Sequence, residues 1–138
     1  MKAISVLVSL VLAGGAQAQS PTEKFERSER CGKLAAAAFA ERLQGVQPGV
    51  PTERGNVATY ENHYNSRLNK CFYLETLVVL DKEGRRNSMT IFDINENKEY
   101  GAYMSGTKLS KPLHCYVQTK YCQSEEEWRA LIKPFMED

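Results

Sequence analysis

Cys71-Phe72-Tyr73-Leu74-Glu75-Thr76-Leu77-Val78-Val79-Leu80 is the stretch whose reading decides the fold. It is rich in β-branched and aromatic residues and holds no glycine or proline, so it reads as a strand. Side chains alternate along a strand, which places Phe72, Leu74, Val78 and Leu80 on one face and Tyr73, Leu77 and Val79 on the other. Apolar residues on both faces predict the central strand of a sheet covered on both sides.

The same composition recurs at residues 57–63, 88–94 and 99–104, giving four strands, and residues 113–117 add a possible fifth. Asp81-Lys82-Glu83-Gly84 and Asn95-Glu96-Asn97-Lys98 are short polar connectors. Connectors this short join antiparallel neighbours, not parallel strands through crossover helices, so the sheet should be a meander.

Helices are expected on either side of it. Ser20-Pro21-Thr22-Glu23 has the form of a helix start, with Ser20 as N-cap, proline in the first turn and Glu23 closing a capping box; Gly45 is the stop. Between them Cys31, Leu34, Ala35, Ala38, Phe39 and Leu43 recur at helical spacing. Pro48, Gly49, Pro51 and Gly55 make residues 46–55 a loop. Ser124-Glu125-Glu126-Glu127 opens a second helix with Trp128, Leu131 and Ile132 as its buried stripe, and Pro134 is expected to end it. The fold expected is α+β: a four- to five-stranded antiparallel meander against a long N-terminal helix and a short C-terminal one.

Upstream of all this, Lys2, the apolar run from Ala3 to Ala13 and the small residues of Ala16-Gln17-Ala18 match a secretory signal peptide over residues 1–18, cleaved near Ala18. A single domain, 19–138, is the expected product, secreted or periplasmic. The apolar run is well short of the roughly 20 residues a membrane-spanning helix needs, so no membrane span is expected. Lys2 is the only charge removed from 18 basic and 17 acidic residues, which leaves the two signs equal. Such a chain has no general attraction to nucleic acid.

Export changes the reading of Cys31, Cys71, Cys115 and Cys122. An even set in an exported chain predicts two disulfides. Three connectivities are open; residues 116–121 can fold back as a hairpin and bring Cys115 to Cys122, which leaves Cys31 for Cys71. Zinc is disfavoured, since there is no C-x-x-C pair and His63 and His114 complete no ligand spacing. His114 and Cys115, as strand neighbours, point to opposite faces and cannot form a catalytic pair. Asp93 to Lys98 begins like a calcium loop, but Lys98 stands where glycine is required and Met104 where a bidentate glutamate is. No metal or cofactor is expected.

The densest polar cluster runs from Asn62 to Lys70. His63, Tyr64, Asn65, Arg67, Asn69 and Lys70 are the candidate ligand-binding residues; the competing reading is that the asparagines hold the turn, Tyr64 packs and the charges are solvated. His63, with Asp93 and Ser66 as conceivable partners, is the only candidate for hydrolytic chemistry, and no catalytic assignment is made. Seven tyrosines fall mostly on strands; the favoured reading is half-buried sheet residues whose hydroxyls reach solvent, and the competing one is an exposed aromatic strip that takes a sugar or a protein.

The stretch from His63 to Phe72, H-Y-N-x-x-L-N-K-C-F, together with Asp93 to Gly101 and Glu126 to Met136, resembles small exported bacterial proteins of uncharacterised function. That resemblance implies a bacterial envelope or secreted setting. The expected function is a non-enzymatic binding module, an inhibitor or interaction protein whose partner is an envelope protein or glycan. A small hydrolase using His63, and a structural or assembly component of the envelope, are the alternatives.

Overall fold

The computed structural model describes residues 19–138, and the signal peptide expected over residues 1–18 lies outside them. Helix α1, Pro21–Arg42, starts as its sequence dictates, with Ser20 Oγ accepting from the Glu23 amide at 3.1 Å. The reciprocal half of the expected capping box does not form. Glu23 instead accepts from Arg27 one turn along, at 2.7 Å. Cys31, Ala35 and Phe39, four residues apart, are the buried stripe; alanine between two larger residues lets the helix lie close to the sheet.

The sheet is a meander of six antiparallel strands: β1 Val57–Asn65, β2 Lys70–Asp81, β3 Gly84–Asp93, β4 Lys98–Gly106, β5 His114–Val117 and β6 Lys120–Tyr121, in that spatial order. Four or five strands were expected. The sixth is two residues long and belongs to the hairpin that returns Cys122 toward Cys115. β3 also starts four residues before the expected Ser88. Arg85 and Arg86 pair with Leu80 and Val79 at the solvent-exposed end of the β2–β3 hairpin, where the backbone ladder needs no apolar side chains.

β2 is interior, second in the order and not at its middle, and both of its faces are covered. On one face Tyr73 packs with Ala58, Ala35 and Phe39 beneath α1. On the other, Phe72 and Leu74 join Met89, Ile91, Tyr100, Tyr103 and Val117 beneath helix α2, Glu125–Met136. Trp128 of α2 is fully buried, and its indole N–H donates to the Tyr116 carbonyl at 3.1 Å. A register shift between Ile91 and Phe92 turns β4, and Gly101 beside it meets β5 closely. A Cβ there would stand 2.5 Å from the Tyr116 carbonyl oxygen.

Two disulfides brace these layers. Cys31–Cys71 ties α1 to β2, and Cys115–Cys122 ties β5 to the chain leaving β6. α2 is capped by Ser124, whose Oγ accepts from the Glu127 amide at 3.2 Å, while Glu127 reaches one residue further back, to the Gln123 amide. Pro134 does not end the helix as expected; the helix continues to Met136. A proline this late removes the bond to a single carbonyl, and Asn65 and Arg67 bring donors to the carbonyls that follow.

Candidate functional site

The polar cluster of residues 62–70 forms the end of β1, a four-residue turn and the start of β2. Asn65 sits at its centre, fully buried. Its Oδ1 accepts from the Leu68 amide at 3.0 Å and so holds the turn. Its Nδ2 donates outward to the carbonyls of Pro134, Phe135 and Glu137 at 3.0, 3.3 and 3.2 Å. These are carbonyls at the C-terminal end of α2, where a helix has no internal partners. Arg67 adds donors to Pro134 and Glu137, and its positive charge suits the negative end of the helix dipole. One turn on β1 therefore acts as the C-cap of a helix about 70 residues away in sequence.

The other candidates are engaged as well. Tyr64 is buried against Cys31 and Cys71, its hydroxyl donating to Asn69 Oδ1 at 2.8 Å and accepting from Gln19 Nε2 at 2.9 Å. Asn69 adopts a left-handed conformation, φ 52°, that suits asparagine in a turn, and also accepts from Arg27 of α1. Lys70 pairs with the fully buried Asp93 and with Glu96 at 2.9 Å, and these two carboxylates hold its ammonium well above the ordinary lysine range. Asp93 uses its second oxygen on the Asn95 and Glu96 amides, an Asx turn that shapes the β3–β4 connection.

His63 lies apart from Asp93. Its Nε2 is 3.3 Å from Asp138 Oδ1, and the same oxygen accepts from the Ser66 amide at 3.1 Å. Asp138 is further paired with Lys24 of α1. The hydrogen bond from Lys24, then that from Ser66, pull the Asp138 carboxyl far below its ordinary range. Asp138 was not among the sequence candidates: a residue 75 positions from His63 gives no local signal of the contact.

Beside the turn, β1 and α2 wall an open groove of about 480 Å³. Glu61, Asn62 and His63 line one side and Arg129, Lys133 and Glu137 the other, with Leu74, Ile132 and Met136 between them. Of the sequence candidates only His63 reaches it. A second cleft, about 540 Å³, lies between α1 and β3 over Tyr73, Phe92 and Ile94. Arg42 and Tyr73 in its wall are already engaged: buried Glu75 accepts from Arg42 at 3.1 Å and from the Tyr73 hydroxyl at 2.8 Å, and Arg42 stacks 4.6 Å above the Phe92 ring.

Among the described residues no cluster of three or more His, Cys, Asp or Glu side chains is placed to hold a metal ion. No described helix is long and apolar enough to cross a membrane. Comparison with known proteins finds no matching family model, curated protein or solved structure.

Proposed function

We propose that the protein is an exported, disulfide-braced binding module of the bacterial envelope, an inhibitor or interaction protein that takes its partner in the groove between β1 and α2. The observation that carries this reading is the groove itself. It is concave, about 480 Å³ in volume and within the range of ligand sites, and it sets an apolar floor beneath walls that carry charge. Both walls are rigid elements joined at one end by the Asn65 clamp, so the groove is preformed and a partner bears little ordering cost. Two disulfides and the pattern of residues 1–18 support an oxidising compartment outside the cytoplasm.

The test is capture from bacterial envelope extract by the mature, oxidised protein, compared with Ala130→Trp; Ala130 lies on the α2 wall of the groove, and tryptophan there obstructs it. The expected result is a partner held by the wild type and lost by the variant. Equal capture by both contradicts the assignment, and a parallel glycan array tells a sugar partner from a protein.

The hydrolase reading has one specific observation in its favour, the His63–Asp138 contact, since an imidazole oriented by a carboxylate is the usual form of a general base. A broad hydrolase screen on the wild type and His63→Ala decides it. Activity that survives the substitution removes His63 from any mechanism.

A further inference from the structure

β1 is one edge of the sheet and, among the described residues, pairs only with β2. In an antiparallel ladder the N–H and C=O of one residue point to the same side, and that side alternates along the strand. Ala58 directs its carbonyl away from β2, where it accepts from the Gly49 amide at 2.8 Å. Tyr60 and Asn62, in the same phase, therefore present their main-chain groups outward too. Among the described residues no backbone hydrogen bond outside the ladder reaches either of them.

The two ends of this edge are guarded. At the start, the 46–55 loop lies along it through the Gly49–Ala58 bond, and the Thr52 amide donates to the Asn56 carbonyl at 2.8 Å. At the turn end, Asp138 joins Lys24 of α1, on one face, to His63, on the other, and also takes the Ser66 amide. This bridge links the two faces of the sheet at the β1–β2 turn. Exposed edges invite unwanted pairing, and blocking both ends limits it. The middle stays open: Thr59, Glu61 and Asn62 are exposed, and the groove of about 480 Å³ begins directly beside them.

Resting on the binding reading above, we infer that the partner is a polypeptide that adds a short extended segment to β1, hydrogen-bonding to the main chain of Tyr60 and Asn62. The open edge identifies the chemistry, because an extended backbone offers donors and acceptors at the spacing of these two residues. The groove identifies the side chains. Residues of an added strand that lie opposite Glu61 and His63 point to the groove side and are two positions apart. One meets the floor of Leu74, Ile132 and Met136 and is apolar. The other meets Glu61, which has no ion-pair partner among the described residues, and is basic.

The probe is a panel of capped hexapeptides with leucine at one position and lysine, threonine or glutamate two residues away, titrated into the mature oxidised protein and followed by backbone amide NMR. The expected result is that the leucine–lysine peptide binds most tightly and shifts the Tyr60 and Asn62 amides. N-methylation of the peptide amide that faces β1 should weaken it by about tenfold or more. That control leaves the protein untouched; Asn62→Pro, which removes an outward donor but no ladder bond, should do the same from the other side. Failure of every peptide to shift these amides, or binding indifferent to N-methylation, overturns the strand-addition inference. Loss of capture by Ala130→Trp is independent of that outcome, so the groove assignment stands or falls separately.

Discussion

Asn65 ties two distant parts of the fold together. It fastens its own turn with one end and the end of α2 with the other while fully buried. Asn65→Ala leaves the Leu68 amide and the α2 carbonyls without this partner and should cost about 2–3 kcal/mol, read by chemical denaturation with the disulfides intact. Asn65→Asp is the sharper variant. It keeps the acceptor for Leu68 but turns an oxygen toward the helix carbonyls, so it should destabilise although nearly isosteric. Asp138 gives a pH signature. Its carboxyl is depressed below its ordinary 3.8, so its contribution is fully present above that value and is lost only as pH falls further, through the folded-state titration. In a His63→Ala background, which removes the imidazole from the same oxygen, the Ser66 amide resonance should therefore hold steady from neutral pH to about pH 4 and move only below it. A midpoint at the ordinary carboxyl value would mean that Lys24 and Ser66 do not hold this group in solution. The sequence marks residues 62–70 as unusual, through asparagine density and one histidine. It cannot say that Asn65 faces inward and Arg67 toward a helix end, because both partners lie about 70 residues downstream.

Elements that announce themselves by local chemistry were legible: the Ser20 and Ser124 caps, the paired faces of β2 and the turns that make the meander. The misreadings arose where tertiary contacts override local signals. Pro134 reads as a stop, yet Asn65 and Arg67 supply donors to the last turn and the helix runs on. Arg85 and Arg86 fall before the strand start expected at Ser88, yet their backbones complete a hairpin. The two disulfides differ at this scale. Cys31–Cys71 spans 40 residues and Cys115–Cys122 spans 7. On the chain-entropy view the first stabilises by roughly 4 kcal/mol and the second by roughly 2. Denaturation of the paired alanine variants checks this. Equal losses would point to strain or packing at the shorter bridge instead of loop closure.

For the whole molecule, α1 and α2 lie on opposite faces of one sheet and their ends converge at the β1–β2 turn, where Lys24, His63, Ser66 and Asp138 meet. This convergence rigidifies one end of the groove and closes one end of the β1 edge. Partner binding at this edge therefore requires it to be open in its middle and closed at its ends. Residue-resolved amide hydrogen exchange on the oxidised protein of residues 19–138 measures this directly. Thr59, Glu61 and His63 face β2 and should be protected, whereas Tyr60 and Asn62 should exchange far faster, the rates alternating along the strand. Uniform protection from Thr59 to His63 would show the edge already covered and would contradict the site proposed here.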